Sequence, residues 1–320
     1  MKSTLSFISA IIILSAITIL SGCDAEPDDQ PEYPTRTRAE SIPDDAVKMT
    51  PETDLYPPIL HSDEWEAPVP VGMPVNTAGA EDSPFIPADR DELYFFFTPD
   101  VSIPAEQQLF DSVTGIYVSV YTDNTFSEPT RVWLQDPGKL ALDGAEFVQG
   151  NAMLFASARE GYTGIHWFSA EFVDGTWTNW QNADFDPVFA VGELHIHGDE
   201  LYYHSDRSGG QGQYDIWKLT RTNDQWQEPE VIEIVNSADV DGWPYISPDG
   251  NELWFTRFYL GSPAIFRSLK AGGEWQEPQL IVSQFAGEPT LDKDGNLFFV
   301  HHYYEDGVMI EADIYIAYKK

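Results

Sequence analysis

Acidic, aromatic and small residues recur at the start of five short segments that share one pattern. Each segment opens with glycine or aspartate and runs into apolar residues, and the five are Asp82-Ser83-Pro84-Phe85-Ile86, Gly144-Ala145-Glu146-Phe147-Val148, Gly192-Glu193-Leu194-His195-Ile196, Gly242-Trp243-Pro244-Tyr245-Ile246 and Gly287-Glu288-Pro289-Thr290-Leu291. If these segments are strands that begin at one rim, their first side chains meet around one opening. Carboxylates, guanidinium groups and aromatic faces around a concavity make a binding site for a polar ligand.

We predict that one such opening collects acids, arginines, histidines and a tryptophan. Trp243, His195 and Arg207 are the preferred contacts, because aromatic faces and forked donors give recognition without chemistry. The structural alternative is that first-strand acids cap backbone N–H groups and that Arg207 holds a loop. The predicted ligand-binding residues are Asp82, Glu146, Arg159, Glu193, His195, Arg207, Asp241, Trp243, Arg257, Glu288 and His301, with His302 beside them.

Two of these carboxylates offer a catalytic alternative. Across such an opening, Glu288 would be a proton donor and Asp82 its carboxylate partner, as glycoside hydrolysis requires. Their segments resemble the acid-bearing first strands of five-bladed arabinanases and fructosidases, which implies a glycosidase. The motif differs from the family's, because Ser83 separates Asp82 from the following proline and a glycine precedes Glu288. We therefore predict a binding protein first and an enzyme second.

Histidines raise the alternative of a metal site. His195 and His197 are two residues apart on one predicted strand, so they share a face. If the turn after them has two residues, Glu193 pairs with His204, and the four side chains form a candidate site for a divalent metal. Polar side chains that stack between neighbouring sheets are a more common explanation of such a cluster than a bound metal ion. The prediction is therefore no metal and no cofactor.

A strand anchored by an aromatic residue repeats along the chain. Its copies begin at Trp65, Phe126, Trp177, Trp226 and Trp275, at intervals of 61, 51, 49 and 49 residues. A period of about 40–50 residues is typical of radially repeated sheets. The last unit ends at Lys320 without such a strand, whereas Trp65 precedes any complete unit. We predict an all-β fold over residues 63–320, a five-bladed β-propeller closed by an N-terminal strand.

Two loops and the strands after them carry a family resemblance. Ser247-Pro248-Asp249-Gly250 precedes Leu253-Trp254-Phe255, and Ser205-Asp206-Arg207-Ser208-Gly209-Gly210 precedes Tyr214-Asp215-Ile216-Trp217. These segments resemble the Pro-Asp-type, WD-repeat-like repeats of the periplasmic Tol-system propeller and of many bacterial surface lipoproteins. The Tol-system propeller has six blades and an extra N-terminal domain, neither of which is evident here, so its partner is not carried over.

The N-terminus predicts export and lipid attachment. Residues 1–22 combine a basic start with a short apolar stretch, which is typical of a signal peptide rather than a membrane-spanning helix. The tetrad Leu20-Ser21-Gly22-Cys23 resembles the lipobox of bacterial lipoproteins, which implies cleavage after Gly22 and acylation of Cys23. We therefore expect a protein anchored to a lipid bilayer on the extracytoplasmic side, in the periplasm or at the cell surface. Residues 23–62 are rich in Asp, Glu and Pro, a composition typical of a disordered tether.

Charge narrows the range of partners. The chain has 53 acidic and 17 basic residues and a formal net charge of −36, so we expect no nucleic-acid partner. The predicted function is a binding or scaffolding module for a saccharide, a peptide or an envelope protein. A structural assembly protein without a ligand at the opening is a further alternative. The oligomeric state is left open.

Overall fold

The computed structural model describes residues 32–122, 125–185 and 191–320, and in these ranges the chain is almost entirely β-structure. Residues 1–22 and Cys23, the predicted signal peptide and lipid site, lie outside the described residues. The described helices are α1 (Ala105–Gln108) and a single 3₁₀ turn at Glu233–Val235. Neither is long and apolar enough to cross a bilayer.

Two short strands precede five antiparallel units of the described chain, and each unit starts at one of the predicted first segments. The short strands are β1 (Ile59–Leu60) and β2 (Val69–Pro70). Unit 1 contains β3 (Ala80–Phe85), β4 (Glu92–Thr98), β5 (Gly115–Thr122), β6 (Thr125–Phe126) and β7 (Thr130–Arg131). Unit 2 contains β8 (Ala141–Gln149), β9 (Ala152–Arg159), β10 (His166–Val173) and β11 (Thr176–Asn182).

The three later units repeat this order of strands. Unit 3 contains β12 (Leu194–His197), β13 (Glu200–Ser205), β14 (Asp215–Thr222), β15 (Gln225–Trp226) and β16 (Glu230–Val231). Unit 4 contains β17 (Asp241–Ile246), β18 (Glu252–Tyr259), β19 (Ser262–Ala271), β20 (Glu274–Trp275) and β21 (Gln279–Ser283). Unit 5 contains β22 (Ala286–Leu291), β23 (Leu297–Glu305) and β24 (Val308–Ala317).

Proline explains why the outer strand of most units is divided. In units 1, 3 and 4 a Glu-Pro dipeptide lies between the two short outer strands, where proline cannot donate a ladder hydrogen bond. Unit 2 has Asn179-Trp180 at this place instead, and its outer strand β11 runs unbroken from Thr176 to Asn182 with a register shift.

The last unit receives its outer strand from the N-terminal side of the chain. Strand β2 pairs antiparallel with β24. Trp65, which precedes β2 in the sequence, forms an isolated β-bridge with Lys319. Trp65 is buried against Trp254 at a centroid distance of 5.5 Å. One parallel bridge, Ala312 to Ala80, joins unit 5 to unit 1 in a common sheet.

The first strands bulge at the same place in four units. The register shifts immediately after Asp82, Gly144, Gly242 and Gly287, and the residues that follow, Ser83, Ala145, Trp243 and Glu288, have φ values between 49° and 54°. A bulge bends the strand and re-aims a side chain, and left-handed conformations of residues other than glycine concentrate at functional sites. The five first strands contact one another in succession, β3 with β8, β8 with β12, β12 with β17, β17 with β22 and β22 with β3.

The described part of the predicted tether, residues 32–62, is packed against the units rather than free. Arg38 donates to the carbonyl oxygens of Val75 and Pro74 and to the Glu81 carboxylate, and its guanidinium lies over the rings of Phe95, Phe97 and Tyr117. Lys48 binds Glu311 and Asp313, and Asp54 binds His301. The amino-acid composition of this segment did not predict these contacts, because the segment is attached by a few charged residues and not by a periodic pattern of apolar residues.

The Arg38–Glu81 pair gives the first prediction. Both side chains are buried, at 4% and 0% exposure. Replacement of Arg38 by alanine leaves the Glu81 carboxyl without its cation, and breaking a buried pair in this way costs about 3–5 kcal/mol. We expect Arg38→Ala to lower the free energy of unfolding by that amount in urea titrations. The matched control is Arg36→Ala, because Arg36 is exposed and makes one hydrogen bond to a nearby carbonyl. Equal effects of the two substitutions would contradict the proposed role of Arg38.

Candidate functional site

A small cavity lies where the five first strands meet. Its volume is about 40 Å³. Since one water molecule needs about 10–15 Å³ by the same measure, the cavity has room for about three waters or for the end group of a larger molecule. Its walls come from the bulged residues of four first strands, the residues after them and the corresponding part of unit 3: Ser83, Pro84, Phe85, Ala145, Glu146, Glu193, Leu194, His195, Trp243, Pro244, Tyr245, Glu288, Pro289 and Thr290.

Asp82 adjoins this cavity and forms an ion pair with His302. The Asp82 Oδ1 atom is 3.7 Å from His302 Nε2 and accepts a hydrogen bond from the Ser83 N–H. Burial favours the neutral form of Asp82, but the hydrogen bond and charge of His302 outweigh it, and the pKa of Asp82 falls below its ordinary value. The pKa of His302 is raised by Asp82 and Glu288 in spite of burial. Asp82 is therefore the ionised carboxylate of the group.

Glu288 has the opposite electrostatic environment. Burial, followed by the charges of Asp82 and Glu193, raises the pKa of Glu288 well above its ordinary value. Its backbone N–H donates to Thr256 Oγ1 at 2.8 Å, which fixes the bulged residue against unit 4. The Oε2 atom of Glu288 is buried and has no hydrogen-bond partner among the described residues.

Glu146 and Glu193 are also held in the neutral form. Burial raises the pKa of each to about 8, with a contribution from Asp82 in both and from Glu146 in the case of Glu193. Glu193 has a hydrogen bond with the Trp243 side chain. Glu146 is only 6% exposed, and neither of its carboxyl oxygens has a partner of hydrogen-bond geometry within the described chain. Buried polar atoms normally have a partner, so these oxygens call for an explanation.

Aromatic rings close the floor of the cavity. His195 packs against Phe147 at 4.8 Å, Phe85 at 5.8 Å and Tyr245 at 4.7 Å between ring centroids. Burial lowers the pKa of His195 to about 3, so its imidazole is neutral. Phe85, His195 and Tyr245 also line a second cavity of about 230 Å³ on the far side of this layer. His195 thus belongs to a partition between two cavities.

Two of the predicted arginines are part of the packing within units. Arg159 binds the buried Asp143 at 2.8 Å and lies 4.0 Å from the Phe168 ring centroid. Arg257 binds Asp241 and the Val235 carbonyl, and it lies over Phe255 and Phe266. Their charge is therefore directed at Asp143 and Asp241 rather than at the cavity. Arg38 supplies the corresponding cation over Phe95 and Tyr117 in unit 1.

Three further residues also lie outside the cavity lining. Arg207 lies 4.7 Å from the Trp217 ring centroid and donates to the Tyr203 hydroxyl. Asp241 accepts from the N–H and hydroxyl of Ser237 in addition to Arg257. His301 is fully buried and contacts Asp54 at 2.8 Å.

The histidines of the metal alternative point to different partners. His204 accepts a hydrogen bond from the Trp243 N–H at 3.1 Å, and its ring fills the space where a Cβ on Gly192 would lie. His197 contacts the Pro248 carbonyl. Within residues 32–122, 125–185 and 191–320, no three His, Cys, Asp or Glu side chains are arranged to hold a metal ion.

The first strands thus bring together a subset of the predicted residues. Glu146, Glu193, Trp243 and Glu288 line the cavity, and His195 forms part of its floor. Asp82 lies next to the lining residue Ser83, and its charge acts on Glu288. Arg159, Arg207, Asp241, Arg257 and His301 lie elsewhere. The sequence analysis missed Ser83, Ala145 and Tyr245 as wall residues, although their positions in the repeated first segments were a usable signal.

The arrangement supports two kinds of chemistry. The carboxyl oxygens can accept hydrogen bonds from a ligand group that carries several donors. No lysine or arginine is among the residues that line the cavity, so no such side chain competes with the ligand there. The ionised Asp82 and the protonated Glu288 are also the two forms of carboxyl group that an acid and base pair needs.

Comparisons with solved structures show a β-propeller-like fold. An endo-arabinase from Bacteroides thetaiotaomicron VPI-5482 is similar over 77% of this chain and 97% of its own, at 16% identity and a TM-score of 0.50. The catalytic domain of the GH62 α-L-arabinofuranosidase of Coprinopsis cinerea is similar over 75% of this chain and 91% of its own, at 8% identity and a TM-score of 0.50. No family model matches the sequence, and a search of curated proteins gives no match. At these identities the likeness shows the fold alone.

The neutral state of Glu146 gives the second prediction. Its pKa of about 8 in the folded protein exceeds the ordinary value, so the folded state keeps a proton that the unfolded chain releases as pH rises above about 4.5. The free energy of unfolding of the wild type therefore falls between pH 4.5 and pH 8. Glutamine does not ionise, so we expect Glu146→Gln to match the wild type near pH 4.5 and to exceed it by about 2–4 kcal/mol at pH 8.

Urea titrations at both pH values measure this difference. Glu274→Gln is the matched control, because it makes the same substitution at an exposed glutamate. A stability difference between Glu146→Gln and wild type that is the same at both pH values would show that Glu146 is ionised in the folded protein.

Proposed function

We propose that this protein is a lipid-anchored, extracytoplasmic five-bladed β-propeller that binds the end group of a saccharide, a peptide or an envelope protein in its carboxylate cavity. The observation that carries the proposal is Glu146, a buried residue at the cavity wall whose two carboxyl oxygens lack partners in the described chain. Leaving such atoms unsatisfied costs free energy that a bound donor would recover.

The blade count rests on the succession of the units. Five antiparallel units follow one another, and the contacts between their first strands run from unit 1 to unit 5 and back to unit 1. The pairing of β2 with β24, and the bridge of Trp65 to Lys319, support closure of the ring by the N-terminal strand.

The location rests on the sequence alone. The apolar stretch before residue 22 and the lipobox-like tetrad that ends at Cys23 support export and acylation. An acidic chain that is held to a bilayer by acyl chains is available to ligands of the cell envelope.

Cavity size favours binding over catalysis. Sites that enclose whole small molecules have volumes of about 300–1,000 Å³, and this cavity has about 40 Å³. A sugar ring therefore remains outside, and only a terminal group enters between the carboxyls. Trp243, at the wall of the cavity, is placed to cover an adjoining apolar face of the ligand.

If the cavity binds a ligand, the affinity for that ligand should depend on Glu146. The full-length protein in detergent, applied to glycan and peptide arrays, is expected to bind at least one class of ligand, and Glu146→Gln is expected to weaken that binding at least tenfold. Glu274→Gln makes the same substitution at an exposed position away from the cavity and is expected to bind as the wild type does. If no array ligand depends on Glu146, the binding function at this cavity is wrong and a structural role without a ligand is favoured.

A glycoside hydrolase is the second candidate. It is favoured by the opposite displacements of the Asp82 and Glu288 pKa values and by the fold shared with an endo-arabinase and an arabinofuranosidase. In this mechanism Glu288 protonates the leaving oxygen and Asp82 is its carboxylate partner.

Hydrolysis distinguishes the two candidates. Because the cavity excludes a sugar ring, we expect the wild type to release no product from arabinan or from 4-nitrophenyl α-L-arabinofuranoside above the level of Glu288→Gln. Turnover that is lost in both Glu288→Gln and Asp82→Asn, and kept in Glu274→Gln, would instead establish the enzyme.

A further inference from the structure

We propose that the group bound in the carboxylate cavity is a primary ammonium, as found on a lysine side chain or an amino sugar. This inference rests on the proposed binding function and specifies the chemical class of its ligand. The unpartnered acceptors, the lack of lysine and arginine among the lining residues, the small volume and the aromatic walls of the cavity all favour such a group.

The acceptors match the donors of an ammonium in number. Three carboxyl oxygens at the cavity lack partners in the described chain: both oxygens of Glu146 and Oε2 of Glu288. A primary ammonium carries three N–H donors and no acceptor. A hydroxyl would supply one donor and leave two of the oxygens unsatisfied.

Charge also favours a cation. The cavity lining includes Glu146, Glu193 and Glu288, with Asp82 close enough to raise the pKa of all three. The basic groups that face them are Arg131, whose charge acts on Glu146, and His302, which is paired with Asp82. Neither of these residues lines the cavity, so a ligand cation would meet carboxyl groups without a competing protein cation.

The walls fit an ammonium in size and in polarity. About 40 Å³ is enough for an ammonium group and the carbon that bears it, and it excludes a bulky quaternary ammonium. Phe85, Trp243 and Tyr245 present aromatic rings, which attract cations through their faces. Trp243 is held there by its left-handed backbone and by the hydrogen bond from its N–H to His204.

Ligand binding is expected to release protons. Glu146 and Glu193 have pKa values of about 8 and are mostly protonated at pH 7, and the pKa of Glu288 is also well above its ordinary value. A bound cation stabilises the ionised forms of these glutamates, because its positive charge offsets the repulsion from the Asp82 carboxylate. The affinity for an ammonium should therefore rise between pH 6 and pH 8. Arg131 keeps its charge over this range. Loss of the His302 proton with rising pH would act in the same direction, because it removes a positive charge that acts on Glu288.

Calorimetry on the full-length protein in detergent tests the inference. The probes are Nα-acetyl-lysine amide and glucosamine, and their neutral counterparts are Nα-acetyl-norleucine amide and glucose. We expect each amine to bind at least tenfold more tightly than its counterpart, with proton release revealed by different heats in phosphate and HEPES buffers, neither of which contains a primary amine. Glu146→Gln should weaken amine binding at least tenfold, and Glu274→Gln should leave it unchanged.

Four outcomes would overturn the inference. Equal binding of the amines and their neutral counterparts would assign the cavity to an uncharged donor. Calcium chloride that displaces the amines at micromolar concentration would assign it to a metal ion. Failure of the amines, together with Glu146-dependent binding of a neutral array ligand, would refute the ammonium and leave the binding function in place. Absence of any Glu146-dependent ligand would remove both.

Discussion

Crowding of carboxyl groups at the meeting point of the first strands is the constraint on which the site depends. Units 1, 2, 3 and 5 each contribute one acid from the start of the first strand, namely Asp82, Glu146, Glu193 and Glu288, so acids from separate parts of the sequence share one poorly solvated space. They cannot all ionise there, because burial and the charge of Asp82 oppose it. The result is one ionised carboxylate, stabilised by His302, among three neutral neighbours.

Elsewhere the protein neutralises buried acids with its own cations. Asp143 has Arg159, Asp241 has Arg257, and Glu81 has Arg38, and in each case the guanidinium also covers aromatic rings of the same unit. Against this background Glu146 and Glu288 are a local exception, because neither forms an ion pair within the described residues, although the charges of Arg131 and His302 act on them. Such exceptions to consistent packing are expected at functional positions, where stability is given up for a ligand.

The sequence predicted the strands well, since glycine, proline and aromatic residues recur with a fixed order in every unit. It also identified Asp82, Glu146, Glu193, Trp243 and Glu288 as neighbours, because equivalent positions of repeated strands meet. The sequence could not show that Arg159 and Arg257 lie outside the site. An arginine near the end of a second strand can reach either a ligand or an acid on the neighbouring first strand, as Arg159 reaches Asp143 and Arg257 reaches Asp241. The burial of His195 among Phe85, Phe147 and Tyr245 depends on side chains from other units, which one segment does not reveal.

The attachment of the N-terminal segment bears on where a recombinant fragment of this protein can begin. Composition alone would start it at residue 63, after the last proline-rich stretch. Such a fragment would lack Arg38, Lys48 and Asp54, and it would leave Glu81, Glu311, Asp313 and His301 without the partners that cover them. A usable fragment therefore has to start upstream of Tyr33, whose ring stacks on Trp133.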